Sequence, residues 1–364
     1  MEEQKVIISE NLAQSLPAAM AECPHDRLFV LCDETTRQLC LPIVEAILSA
    51  QQAEFTPITI GATDTNKTLE SLAHVWSALQ QGGATRHSLL LNVGGGMVTD
   101  LGGFAASTFK RGIHYINIPT TLLSMVDASV GGKTGINFGG LKNEVGVFRN
   151  ADCVILDTVF LRTMDRANIL SGYAEMLKHG LISNETMWAE LVNYDISRYE
   201  VRGARCENNT RCEARPLQSM LADSVAVKQR IVLADPTEQG LRKALNLGHT
   251  AGHAFESFAM RRQPVLHGYA VAWGLIVELY LSVVKTGFPT DRMRQTVNFI
   301  RENYGQLAIT CRDYPELLEL MHHDKKNTGD TINFTLLGGI GDLRINQTAT
   351  EEEIKEALDF YREG

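Results

Sequence analysis

A chain of 364 residues with a formal net charge of −9 is longer than one hydrophobic core usually sustains, so two domains are expected. Lys plus Arg 34 against Asp plus Glu 43 disfavours a nucleic-acid partner, whose phosphates need a basic field. A small anionic substrate held by a local group of cations stays open. Seven cysteines, an odd number set mostly in apolar or helical runs, read as reduced thiols. With no basic-then-apolar leader pattern in Met1–Lys5, a cytoplasmic location is expected.

In chain order, Leu28–Cys32, Phe55–Ile60, Leu89–Val93, Tyr115–Ile118 and Cys153–Leu156 are short β-rich runs bounded by turn residues, and they read as strands. Leu39–Ala50 and Leu69–Gln80 carry apolar residues at helical spacing between them. That alternation predicts a doubly wound, Rossmann-like α/β domain with a mainly parallel sheet over residues 1–162. From 163 to 364 the strand signal nearly vanishes, and an all-α domain is expected. Its helical patterns are Arg166–Ile182, Leu217–Val232, Leu245–Ala259, Gly268–Val284, Thr290–Tyr304 and Tyr314–His323. Residues 200–216, with Cys206 and Cys212, read as a polar surface connection. Residues 268–284 come nearest to a membrane span, but Glu278 and the adjacent His267 favour a helix buried on all sides, with no membrane partner. Ile332–Leu337 is a short β-like piece next to Gly338, Gly339 and Gly341.

Two glycine loops interrupt the α/β half. Leu90–Asp100 leads a strand into Gly94, Gly95 and Gly96 and then into a helix expected to start near Thr99. Such a turn lets backbone and helix N-terminus approach a pyrophosphate. It departs from the usual dinucleotide fingerprint, because Thr99 stands at the third glycine position and no acid follows about twenty residues on. The second loop, Asp127–Thr134, presents Lys133 after two glycines, with Lys142 and Asn143 beyond. It is not a nucleotide P-loop, since Asp127 holds the place of the first glycine. Lysines beside glycines suit a phosphate or a carboxylate.

The helical half supplies metal-binding residue types. His249 and His253 are four apart and share a helix face, His267 follows, and Glu175 is an isolated acid in an apolar pattern. Neutral imidazoles with a carboxylate suit a divalent metal of the zinc type. Lys178 shares a face with Glu175. Lys228, Arg242 and Asn246 precede the histidines, and Lys325 and Lys326 come later. Cations gathered near a metal match a substrate bearing both phosphate and carboxylate.

Taken together, Gly94–Gly96 with Asp100, Ile118–Leu122, Val126–Asp127, Val130–Asn137, Ser171–Gly180, Glu238–Arg242, Asn246–Ala254 and His267–Val271 resemble the ordered motifs of the 3-dehydroquinate synthases, which are sugar phosphate cyclases. The resemblance runs from about residue 90 to about 340. It implies an NAD-binding domain followed by a helical metal domain, and a zinc (or cobalt) ion held by Glu175, His249 and His267, with His253 as a proton relay. Catalytic roles carry over to Lys133, Glu238, Lys228, Arg242 and Asn246, and substrate contacts to Asp127, Asn143, Lys178 and one of Lys325 and Lys326. Arg111 matches a position taken from a neighbouring subunit, which implies a homodimer. The implied NAD contacts are Asp33, Asp64, Lys67, Gly94, Gly95, Gly96, Asp100, Thr120, Thr121, Asp127, Lys133, Lys142 and Thr163.

The activity implied is conversion of 3-deoxy-D-arabino-heptulosonate 7-phosphate, a phosphorylated sugar acid, to 3-dehydroquinate and phosphate. Carbon 5 is oxidised, phosphate leaves by β-elimination, the hydride returns, and ring opening precedes an intramolecular aldol. NAD is recycled. The sequence departs from the family at Ala62–Lys67, where Asp64 replaces a usual Glu, and at Ser124–Met125. The competing readings are a metal-dependent alcohol or polyol dehydrogenase, a cyclase for another sugar phosphate, and a non-catalytic NAD- or metal-binding regulator.

Overall fold

Runs of leucine, isoleucine and valine too short for helices become the strands of a six-stranded parallel sheet, in the spatial order Val6–Ser9, Cys153–Asp157, His114–Pro119, Leu89–Gly94, Leu28–Asp33 and Thr56–Ile60. The computed structural model describes residues 3–196, 217–322 and 332–363. Lys325, Lys326 and the 200–216 connection lie outside the described residues. Two compact units are present, Met1–Asp165 with Leu217–Val225, and Arg166–Pro216 with Ala226–Gly364.

The first unit contains β1 (Val6–Ser9), α1 (Leu12–Ala21), β2 (Leu28–Asp33), α2 (Glu34–Leu39), α3 (Leu41–Ala50), β3 (Thr56–Ile60), α4 (Leu69–Gln81), β4 (Leu89–Gly94), α5 (Gly96–Thr108) and β5 (His114–Pro119). An antiparallel ribbon, β6 (Lys133–Phe138) and β7 (Leu141–Phe148), separates β5 from β8 (Cys153–Asp157). The five expected strands are all present. The edge strand β1 and the ribbon were not expected: β1 has four residues, too few to display a period, and β7 is exposed along its whole length, so no buried face marks it. The expected helix Leu39–Ala50 is α3, with α2 before it and a break at Cys40.

From β2 the chain moves outward to β3, then returns to place β4 on the other side of β2. This reversal is a topological switch point, and ligands of open α/β sheets bind beyond the carboxyl ends of the strands there. Asp33 and Gly94 end those two strands. The helix after the glycines begins at Gly96, three residues before the expected start, because the extended Gly95 is its N-cap. No side chain caps α5. The close-packing duty of the missing third glycine falls one turn later. A methyl on Gly102 would overlap the Asn92 amide of β4 and stand 2.8 Å from Leu31 of β2. Gly102→Ala is therefore expected to lower stability by about 2 kcal/mol through overpacking, measured by denaturant unfolding; an unchanged midpoint would contradict it.

The second unit is helical apart from one hairpin. It contains α6 (Arg166–Ser183), α7 (Glu185–Val192), the end of α8 (Leu217–Ala234), α9 (His249–Met260), α10 (His267–Thr286), α11 (Thr290–Tyr304), α12 (Tyr314–His322), the antiparallel β9 (Asn333–Gly339) and β10 (Asp342–Thr348), and α13 (Glu351–Glu363). The β-like run expected at 332–337 falls on β9. Helix α10 packs against α6, α9, α11, α13 and β9, and its buried positions run from Gly268 to Ser282. Among the described residues it is the helix long and apolar enough to cross a membrane, yet its sides are occupied by the unit's own core.

Small residues set how closely these helices approach. A methyl on Gly268 would overlap the carbonyl of Ser171 in α6, and one on Gly274 the carbonyl of Gly248 ahead of α9. The expected helix Leu245–Ala259 is divided at that point. Leu241–Asn246 forms a 3-10 turn, Gly248 adopts φ 80°, and α9 starts afresh at His249.

Candidate functional site

The close approach of α6, α9 and α10 brings Glu175, His249 and His267 together. One ligand atom from each lies within 4.8 Å of the others. His249 Nε2 is 3.4 Å and His267 Nε2 3.5 Å from Glu175 Oε1. Zinc–nitrogen and zinc–oxygen bonds near 2.0–2.1 Å place tetrahedral ligand atoms about 3.3–3.4 Å apart, so the spacing fits a shared cation. Glu175 is fully buried, and neither carboxylate oxygen accepts a hydrogen bond of ordinary geometry. A buried carboxylate so placed calls for positive charge.

The other nitrogen of each imidazole is also directed. His249 Nδ1 lies 3.1 Å from Leu247 O, and His267 Nδ1 lies 3.1 Å from Glu256 Oε2. Such contacts fix ring orientation and leave Nε2 for a metal. Burial would raise the Glu175 carboxyl, but the Lys178 ammonium and the two imidazoles outweigh it and hold the group well below the usual carboxylate range. Burial pulls the His267 imidazole down, yet Glu175 and Glu256 push it up to about 10. The pocket therefore attracts protons, and a divalent cation would displace them.

His253 lies one turn along α9. Its ring centroid is 5.3 Å from that of His249 and 5.9 Å from that of His267, so it borders the three residues without belonging to the ligand group. Lys178 forms an ion pair with Glu175, three residues before it. Lys228 and Arg242 are buried cations of the same unit. Arg242 Nη1 donates to Pro236 O at 2.7 Å, and Asn246 Nδ2 donates to Glu238 Oε1 at 3.0 Å. Glu238 occupies the left-handed region at φ 61°. Asp235 organises this loop by accepting from the backbone N–H of Gly240 at 2.7 Å, Arg242 at 3.0 Å and Gln239 at 3.0 Å.

In the first unit several expected residues form one polar network. Buried Lys67 contacts both Asp100 of α5 and Asn143 of the ribbon. Asn143 N donates to Asn137 Oδ1 at 2.9 Å, Asn137 Nδ2 donates to Asp64 O at 3.1 Å, and Lys142 lies 3.8 Å from Asp64. Asn137 joins the two halves of this network.

The glycine turn offers an anion the uncapped first turn of α5. Thr120, whose N–H donates to Gly94 O at 3.0 Å, has a buried hydroxyl with no hydrogen-bond partner among the described residues. These features fit a phosphate-bearing cofactor. Other expected residues are already engaged. Asp33 caps α2 through Thr35 N and Thr36 N, both at 2.8 Å. Thr121 Oγ1 donates to Ser124 Oγ at 2.9 Å, and Thr163 Oγ1 donates to Phe160 O at 2.7 Å. Asp127 stands on the Ser124–Ala128 turn, Lys133 is exposed at the start of β6, and Arg111 is exposed beside Gly112.

Three residues that hold this candidate metal pocket in shape were not among the expected site residues. They are Glu256, which orients His267; Ser171, whose Oγ accepts from Gly268 N at 3.1 Å; and Glu278. Glu278 is fully buried and accepts from Gly248 N at 2.7 Å, Thr250 N at 2.9 Å and Ala251 N at 3.2 Å. Glu256 carried the one available signal, one turn beyond His253 on the same helix.

Comparison with known proteins shows which family the chain resembles. Residues 57–171 match the family model of the 3-dehydroquinate synthase N-terminal region, and residues 172–327 match that of the C-terminal region. A 3-dehydroquinate synthase of Parabacteroides distasonis is 53% identical over 365 residues, covering 100% of this chain and 99% of the relative. Among solved structures, a 2-epi-5-epi-valiolone synthase from Streptomyces hygroscopicus subsp. jinggangensis with NAD+ and Zn2+ bound is 26% identical, with TM-score 0.86 over 100% of this chain and 98% of its own. A 2-deoxy-scyllo-inosose synthase complexed with carbaglucose-6-phosphate, NAD+ and Co2+ shares the fold at 20% identity and TM-score 0.81, covering 99% of this chain and 96% of its own. The chain belongs to the 3-dehydroquinate synthase family.

Proposed function

We propose that this protein is a phosphate-eliminating carbon–oxygen lyase that converts 3-deoxy-D-arabino-heptulosonate 7-phosphate to 3-dehydroquinate and phosphate. The observation that carries the reading is the convergence of Glu175, His249 and His267 in a chain 53% identical, end to end, to a 3-dehydroquinate synthase. Functionally, residues 1–162 are the nucleotide half and 163–364 the metal and substrate half.

Glu175, His249 and His267 would hold zinc or cobalt, which when bound acts as a Lewis acid toward substrate hydroxyls. Gly94–Gly96, Thr120, Lys67 and Asp100 would hold NAD, which supplies a reversible hydride acceptor. The chain's own part is binding, orientation and proton handling. Lys228, Arg242 and Asn246 position an anionic end of the substrate, and Lys178 holds the Glu175 carboxylate in its ionised form. Fixing the reacting carbons relative to one another supplies the entropic part of catalysis. His253, beside the ligands and outside their set, accepts and returns the proton of a ring alcohol.

The deciding experiment measures phosphate release and dehydroquinate from the heptulosonate phosphate with catalytic NAD. Equimolar products with no net NADH are expected. Net NADH from a simple alcohol, with no phosphate released, would replace this reading with a dehydrogenase.

A cytoplasmic homodimer is part of the same proposal. Phe138, Leu141, Val145, Val147 and Phe148 leave an apolar ribbon exposed on the first unit, a surface that monomers seldom display. Val145→Asp is expected to shift the sedimentation coefficient from dimer to monomer. A monomeric parent protein would end the dimer proposal.

A further inference from the structure

A second group of metal-binding side chains lies in the first unit, at the end of the parallel sheet opposite the glycine turn. Cys23 follows α1, His114 opens β5, and Asp152 stands immediately before β8. One ligand atom from each lies within 4.8 Å of the other two. The three come from distant stretches of chain, and strand-end backbone bonds fix two of them. Tyr115 N donates to Asp152 Oδ2 at 2.9 Å, Asp152 N donates to Tyr115 O at 3.0 Å, and His114 Nδ1 lies 2.8 Å from Asp152 Oδ1. Cys23 is held by its N–H, which donates to Met20 O at 3.0 Å.

The same residue types would also suit a thiol nucleophile with its base and orienting acid, but the enclosed Cys23 sulfur offers no approach to an organic substrate, and His114 Nδ1 is turned to Asp152 Oδ1. A thiophilic cation displaces the thiol proton: the S–H bond breaks, the proton leaves to solvent, and a sulfur–metal bond forms. Access is available, because His114 and Asp152 are only half-buried while Cys23 is enclosed. Zinc-type bonds of about 2.0–2.3 Å need ligand atoms about 3.3–3.8 Å apart, so the 2.8 Å His114–Asp152 contact must open and the other separations, none above 4.8 Å, must close by side-chain rotation. Three protein ligands of sulfur, nitrogen and oxygen leave a fourth position for water.

We propose that Cys23, His114 and Asp152 bind a second divalent cation of the zinc type, independent of the Glu175–His249–His267 centre. The ligand sets differ in one decisive respect. The Glu175 centre contains no sulfur, so a sulfur-to-cobalt charge-transfer band in the near ultraviolet can come only from a thiolate site.

The test uses the full chain, kept reduced, stripped with a chelator and titrated with Co2+. The expected result is a charge-transfer band that saturates at one equivalent of bound cobalt. Cys23→Ser should abolish the band and lower bound cobalt by one equivalent per chain, and His114→Gln, at a half-exposed position, should weaken cobalt binding at this site at least tenfold. His249→Ala should keep the band, which separates failure here from failure of the proposed function. Absence of a band in the parent protein, its persistence in Cys23→Ser, or unchanged cobalt affinity in His114→Gln overturns the assignment.

Discussion

His249→Ala is expected to remove one equivalent of tightly held metal per chain and to lower turnover by about three orders of magnitude or more, which corresponds to ~4 kcal/mol of transition-state stabilisation. The reason lies in the spacing around Glu175. Nε2 of both imidazoles lies 3.4–3.5 Å from the same carboxylate oxygen, so each histidine supplies one of the three grouped ligand atoms. His253→Ala is the matched control. Its ring centroid is 5.3 Å from that of His249, but it is not among the grouped ligands. The variant should therefore retain its metal while losing about 10²–10⁴ in turnover, the range of a positioned general acid–base. Metal analysis with single-turnover phosphate release distinguishes the two. Full metal occupancy in His249→Ala, or metal loss in His253→Ala, would mean that the ligand set is wrong.

The second large effect concerns a residue remote from the chemistry. Glu278 reaches from α10 to the start of α9 and accepts three backbone N–H groups there. The first N–H groups of a helix have no partner inside it, and an anion at that end is also favoured by the helix dipole. Because the site is buried, truncation leaves those donors unsatisfied at about 1–3 kcal/mol each, partly relieved by relaxation. Glu278→Ala is expected to lose about 3 kcal/mol or more, lowering Tm by roughly 6–12 °C. Since His249 is the first residue of that helix, metal affinity should also fall by about tenfold, comparable to losing an outer contact of a ligand. Glu278→Gln keeps one acceptor oxygen and should recover part of both. Parental Tm and metal affinity in Glu278→Ala would refute the positioning role.

Much of the α/β half was legible because its signals are local. A strand needs four to six apolar residues between turn formers, and a glycine-rich strand-to-helix turn occupies consecutive positions. Even so, the start of α5 moved to Gly96, since an extended glycine can cap a helix without any side-chain marker. The β6–β7 ribbon was invisible for the opposite reason: with β7 exposed throughout, its apolar residues face no core that would impose alternation. In the helical half, the helical pattern Leu245–Ala259 runs straight through Gly248. Its left-handed backbone instead breaks the helix and lets α10 approach.

The sequence by itself determined the order of elements, the ligand types and, through its motifs, which acid and which histidines were worth joining. Periodicity and spacing act over a few residues, so they could report that His249 and His253 share a face. Which imidazole nitrogens meet Glu175 Oε1 was decided only in three dimensions, by the close packing that Gly268 and Gly274 permit. The same holds for Glu278 at the foot of α9 and for Cys23 beside His114 and Asp152. Each of these is a meeting of residues far apart in the chain, and no local pattern encodes a distance that the packing of whole helices and strands sets.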